Sequence, residues 1–220
     1  MSLREAHDRL AHMNAGADRN WAMPVVLNIP KSNPPLHSEL LAAAAQAVLR
    51  VCLSPDPDFG PSLAEWYGAR IRKVARRARN AAWERVQRLP GATARVGTAE
   101  ARALLPCAIV DTPPEVNKLQ IGGTDLEHDA PGPAEGPVIY LDRGLKMSTG
   151  KAAAQVGHAA MLLAAQLSYE EVAAWAPDFR LSVREVPREE FWRLDGVAVV
   201  DAGFTEVAPG SVTAVGIYTG

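Results

Sequence analysis

The chain has 220 residues, 48% of them hydrophobic, and carries 23 Lys and Arg against 25 Asp and Glu for a net charge of −2. That length and apolar content fill one large core or two small ones and exclude a fibre or a disordered chain. No apolar run reaches the roughly eighteen residues of a membrane span, the mixed-charge start MSLREAHDRLAHMNAGADRN lacks the features of a signal peptide, and the two distant cysteines, Cys52 and Cys107, indicate neither a disulfide framework nor a zinc site. A cytoplasmic protein with no membrane attachment is the expectation.

In chain order, residues 1–20 read as a short polar helix or a loose arm. PVVLNIP predicts an apolar strand over 24–29, KSNPP a loop, and LLAAAAQAVLRVCL a helix over 37–53. SPDPDFGPS reads as a turn region leading to Trp66. Then Arg70, Arg72, Lys73, Arg76, Arg77, Arg79, Arg85 and Arg88 stand against the single acid Glu84. Such a stripe attracts phosphates even on an acidic protein, because salt screens remote charges beyond about 8–10 Å; a solvated surface stripe is the alternative. Residues 113–136 are rich in Pro, Gly and acids without periodicity and read as a linker.

After the linker, PVIYLDR predicts a strand, GLKMSTG a loop, and KAAAQVGHAAMLLAAQL a helix starting near Thr149. Ser168 and Glu171 form a capping box ahead of SYEEVAAW. FRLSVREV reads as a strand, PREEFWR as a short helix, and VAVVD and SVTAVGIY as the last two strands. The order βααβαββ is a small three-layer unit.

The first half repeats this plan. Gln46 and Gln155 each follow a triple alanine and precede Trp66 and Trp175 by the same interval, and Trp83 and Trp192 follow those at equal spacing. PVVL matches PVIYL, and GATARV parallels GVAVVD. An internal duplication follows. The expected fold is α/β, two tandem three-layer α/β/α units, each with a small mixed sheet of about four strands. Its parts are an arm (1–20), a first unit with the basic segment (21–112), the linker (113–136) and a second unit (137–220).

Chemistry concentrates in the second unit. Lys151, Gln155 and His158 lie at i, i+4 and i+7 and share one helix face. Free N–H groups near Gly150 and the helix dipole favour an anion there, a phosphate or a developing oxyanion. Lys146 adds charge one loop earlier. Asp201 ends a buried strand and should emerge beside the helix start, with Thr205 following in a turn that Gly203 permits. GLKMSTGKA is not a nucleotide-binding phosphate loop, because five residues separate Gly144 from Gly150 and Ala152 replaces the magnesium-binding hydroxyl.

LKMSTGKAAAQVGHAA and DAGFTEVAPGSVTAVGI together resemble the type 2, archaeal and eukaryotic, peptidyl-tRNA hydrolases over residues 137–220. The resemblance implies a four-stranded mixed sheet between helices and cleavage of the ester joining peptide to tRNA, with no metal or other cofactor. It carries over Lys151, Gln155, His158, Asp201 and Thr205 as the site, with Lys146 peripheral. Lys151 would polarise the ester carbonyl, Asp201 would pair with Lys151 and orient water, and Gln155 and Thr205 would position substrate or water.

The chain departs from the family at Phe204 and Glu206, where arginine and glutamine are usual, in the shortened PREEFWRLD helix, and in FRLSVREV, which lacks a usual lysine. The first copy departs further, with Ala42, Leu49 and Val96 at the positions aligned with Lys151, His158 and Asp201. The expected arrangement is an inert unit paired with an active one, as an intramolecular pseudo-dimer or within a homodimer. Arg70, Arg72, Lys73, Arg76, Arg77 and Arg79 would then hold tRNA phosphates. The alternatives are a non-catalytic tRNA- or RNA-binding or regulatory protein on the same fold, and a structural interaction module.

Overall fold

The computed structural model describes residues 1–14, 16, 19–123, 125–203 and 205–218. In chain order the elements are α1 (Leu3–Ala11), β1 (Trp21–Asn28), α2 (His37–Cys52), α3 (Gly60–Tyr67), β2 (Lys73–Ala78), α4 (Ala81–Val86), β3 (Gly91–Val96), β4 (Ala99–Leu104), β5 (Cys107–Ala108), α5 (Pro114–Asn117), β6 (Val138–Asp142), α6 (Thr149–Gln166), α7 (Tyr169–Trp175), β7 (Ser182–Val186), α8 (Arg188–Phe191), β8 (Val197–Val200) and β9 (Val212–Ile217).

These form two separate mixed sheets built to one plan. The first has the order β2-β1-β4-β3 and the second β7-β6-β9-β8. In each, the first strand is parallel to the second and antiparallel to the last. The final pair is antiparallel too. In the first sheet β5 adds a short pairing with β1 at Trp21 and Ala22. Pro24 is tolerated inside β1 because it falls between that pairing and the start of the β4 ladder at Val25, where a missing N–H costs no sheet bond.

Helices α2 and α6 lie side by side between the sheets. Each packs on its own sheet and on one strand of the other, α2 against β7 and α6 against β2. The triple alanines explain the fit, since small side chains bring two helices close. Gly157 takes this furthest, because a Cβ there would stand 2.9 Å from Val48 Cγ2. One continuous core therefore runs through both units, from Leu27 and Leu49 to Val156, Met161 and Ala214. The outer faces carry separate clusters, Val26, Trp83 and Val116 in the first unit and Val186, Phe191 and Val215 in the second.

Several sequence expectations change. Of the two readings of residues 1–20, the short helix is the one observed at Leu3–Ala11: Ser2 caps α1 in a capping box, and His7 Nε2 meets the Ala164 carbonyl of α6 at 3.0 Å. The turn region before Trp66 is largely helical, because Asp56 caps a short turn that leads into α3. AEARAL, to which the sequence reading assigns no element, is the central strand β4, held by ladders on both sides although its residues are good helix formers. The tryptophan match also slips by one residue. Trp83 is 5% exposed, whereas Trp192 is 61% exposed and Phe191 fills the buried place in the second unit.

The described residues of 113–136 form a strap along two sheet edges. On β2, Arg77 N donates to the strap's Gln120 O; on β7, Ser182 Oγ accepts from Glu135 N and Arg184 donates to Gly132 O. Covering exposed edges in this way blocks unwanted strand pairing.

The capping box predicted at α7 is present, with Glu171 N on Ser168 Oγ and Ser168 N on Glu171. Ser168→Ala should lower the unfolding free energy by about 1 kcal/mol, measured by urea denaturation.

Candidate active site

Helix α6 begins where Ser148 turns from extended backbone and its Oγ accepts the Lys151 N–H at 3.1 Å. This places Lys151 in the first turn, pointing at the loop between β8 and β9. The β8–β9 ladder shifts register between Val199 and Val200 and then opens into residues 201–211. The base of that loop is closed by Asp201 N on Ser211 O and Gly210 N on Asp201 O. Gly203, at φ +75°, makes the turn with Pro209 N only 2.5 Å from where a Cβ would lie, so a side chain is excluded there. Its N–H donates to Asp201 Oδ1 at 2.8 Å.

Four of the expected residues meet on this loop. Lys151 Nζ donates to Asp201 Oδ2 at 2.6 Å and to Thr205 Oγ1 at 3.3 Å, and Gln155 Nε2 donates to Asp201 Oδ2 at 2.8 Å. Thr213, fully buried on β9, donates to Gln155 Oε1 at 2.6 Å and fixes the amide orientation. The Lys151 and Asp201 side chains are only 9% and 10% exposed. An ammonium held this firmly and this dry is suited to a carbonyl oxygen that gains negative charge.

The rest of the helix start differs from the expectation of free N–H groups. Glu206 accepts from Ser148 N at 2.9 Å and from Ser148 Oγ at 2.8 Å. Asp125, from the strap, accepts from Thr149 N at 3.1 Å, and Thr149 Oγ1 accepts from Leu126 N at 3.0 Å. Two of the chain's own carboxylates thus sit at the positive end of the dipole. Ser148, Thr213 and Asp125 were not singled out from the sequence. The Ser-x-x spacing ahead of Lys151 is a recognisable capping signal, but nothing local ties Asp125 or Thr213 to the site. Phe204 lies outside the described residues.

His158 is not hydrogen-bonded to this network among the described residues. It faces the first unit, where burial first and then the nearby Lys73 charge hold its imidazole well below its usual pKa. Lys146 is exposed and adopts a left-handed backbone at φ 49°.

The basic segment divides along β2. Lys73, Ala75 and Arg77 share one face. Lys73 lies beside Gly157 and Ala75 beside Gly150, so β2 runs back along α6 toward its first turn. Arg76, Arg77 and Gly150 accordingly line one small recess with Ile121 and Gly122. Arg77 also bonds Gln120, and Arg76 donates to Asn117 O and Leu119 O at 3.2 Å, fastening the strap. Arg70 and Arg72 lie at the opposite end, with Arg72 donating to Asn20 Oδ1 at 2.8 Å. Arg79 follows the strand's end.

Lys73 turns inward instead of toward a phosphate. Its Nζ stands 4.9 Å over the Trp66 ring and 3.7 Å from Met161 S. Burial lowers its pKa to about 7. The unfolded chain therefore binds more protons between pH 7 and the ordinary lysine range, and stability should rise with pH across that window. Lys73→Met should raise the urea midpoint at pH 7 and flatten this rise, read from denaturation curves at several pH values.

A groove of about 510 Å³ lies elsewhere and is lined by Gln46, Val96, Arg50 and Arg180 among others. There β3 and β4 join through Gly97 and Thr98 alone, and Glu39 accepts the Thr98 N–H at 3.2 Å. No loop is present to carry a Lys–Asp pair.

Residues 137–219 match the family described as peptidyl-tRNA hydrolase PTH2. An alignment over 97 positions is 35% identical to a Caenorhabditis elegans protein named probable peptidyl-tRNA hydrolase 2 and covers 37% of this chain and 31% of that protein. The chain thus spans about a third of that relative's length. No solved structure matches.

Proposed function

We propose that this chain, whose residues 137–219 belong to the peptidyl-tRNA hydrolase PTH2 family, hydrolyses the ester between peptide and tRNA. The observation that carries this reading is the Lys151 ammonium clamped between Asp201 and Thr205 at the start of α6. Water adds to the ester carbonyl carbon and Lys151 stabilises the oxyanion. The acyl–oxygen bond to the ribose then breaks, and the ribose oxygen takes a proton. Gln155 and Asp201 hold Lys151 and the attacking water in place. No step in this reaction calls for a metal.

The first unit is read as a worn copy of the second, making an intramolecular pseudo-dimer. The shared strand order supports it, and the ladder register does too: Ala94 opposite Ala101 corresponds to Val199 opposite Ala214, which aligns Val96 with Asp201. This unit supplies Arg77, which the direction of β2 brings toward the first turn of α6, as a phosphate contact for tRNA.

Release of peptide from a defined peptidyl-tRNA by the purified full chain tests the proposal, and no turnover at any enzyme concentration overturns it. A second reading, a non-catalytic tRNA-binding protein, is favoured by Glu206 seated on Ser148 at the helix start. It predicts tRNA binding without release in the same assay.

A further inference from the structure

Three side chains able to bind a metal converge where the strap crosses the start of α2, in a cluster distinct from the Lys151 network. His37 is the first residue of α2 and is 2% exposed. Glu185 lies on β7 opposite Leu141, and His128 comes from the strap. One donor atom from each, an imidazole nitrogen from each histidine and a carboxylate oxygen, lies within 4.8 Å of both others. The two rings meet edge to face with centroids 4.9 Å apart. His128 Nδ1 bonds the same Glu185 oxygen that His37 Nδ1 approaches at 3.5 Å.

The strap is anchored beside this cluster. Asp129 accepts from Ser38 N at 2.8 Å and from Ser38 Oγ at 2.5 Å, which fixes His128 over the helix start. The His37 contact is long for a direct hydrogen bond. The same separation suits two ligands of one small ion, since donors about 2.0–2.2 Å from a tetrahedral centre stand roughly 3.3 Å apart.

We propose that His37, His128 and Glu185 bind one borderline divalent transition-metal ion, of which zinc is the fitting example, tying the strap and β7 to the start of α2. Two imidazoles and one carboxylate form a donor set characteristic of such ions and unlike the all-oxygen sets of calcium or magnesium. Water completes a four-coordinate shell. The ligands come from residues 37, 128 and 185, three distant stretches, so no spacing motif announces them. Such an ion would cross-link elements of both units through the strap. The same strap reaches α6 three residues earlier, where Asp125 caps Thr149, so loading the site also steadies the start of the helix that carries Lys151.

The test uses the full chain stripped with EDTA, dialysed, and titrated with zinc chloride by calorimetry and with cobalt(II) by visible absorption. One ion per chain is expected, with four-coordinate cobalt bands, together with a zinc-dependent rise in melting temperature. His128→Ala and Glu185→Gln should each weaken binding by at least about 100-fold. His128 is exposed, so its alanine variant keeps the fold even if His37→Ala does not; circular dichroism verifies this. Failure of the stripped chain to take up zinc or cobalt stoichiometrically would overturn the proposal. Uptake that survives unchanged in folded His128→Ala would overturn it equally.

Discussion

Lys151→Ala is expected to lower the turnover of peptidyl-tRNA by about 10²–10³-fold with a much smaller change in KM. The reasoning rests on when Lys151 does its work. In the ground state the ammonium already has Asp201 and Thr205 as partners, so it adds little to substrate binding. As the carbonyl oxygen gains charge, the same ammonium, largely shielded from water, attracts it strongly at no cost in reorientation. Asp201→Asn should cause a loss of similar order by a different route, because a neutral amide neither holds the ammonium nor accepts from Gln155 and Gly203 as a carboxylate does. Lys151→Arg separates charge from geometry. It keeps the cation but cannot fit the single-atom contact between Asp201 and Thr205, so it should recover only a small part of the rate. Single-turnover kinetics of the three variants check the scheme, with melting curves to confirm folding. A fall in KM-dependent terms alone, with kcat intact, would contradict it.

How far the sequence reveals this arrangement depends on whether a signal is local. The strands PVIYL and SVTAVGIY, helix α6 and the Ser168 capping box all carry their information within a few residues, and the structure places them as read. Lys151 and Gln155 are legible together because helical spacing puts them on one face. By contrast, β4 is written in helix-forming residues and becomes a strand only because β1 and β3 flank it. Trp192 could not be told from Phe191 by spacing, since only the packed sheet decides which of two adjacent aromatics turns inward. The strap carries the same lesson. Pro, Gly and acids read as an unstructured connection, yet Gln120, Asp125, His128 and Asp129 each have a defined partner. Those partners lie far away in the chain, so local pattern holds no trace of them.

Charge at the start of α6 yields the second large effect, with two substitutions expected to move tRNA affinity in opposite directions. Glu206 places a carboxylate on Ser148 N and Oγ, where a phosphate or an oxyanion would otherwise find favourable dipoles. Glu206→Gln removes that negative charge while keeping a group able to accept from Ser148. Binding of tRNA should tighten by roughly fivefold at low salt. Arg77 acts in the other sense. It comes from the first unit and lines the recess beside Gly150, and its replacement by glutamine removes one cation without disturbing the backbone bond between Arg77 N and Gln120 O. Affinity should fall by about tenfold, and the slope of log affinity against log salt should flatten by about 0.7–0.9, as expected for one phosphate contact. The double variant should lie near the wild type in affinity yet keep the flatter slope, because Glu206 contacts no phosphate. Filter binding over a range of salt concentrations distinguishes these outcomes. If Arg77→Gln left both affinity and slope unchanged, the arginine-bearing unit would have no part in gripping tRNA.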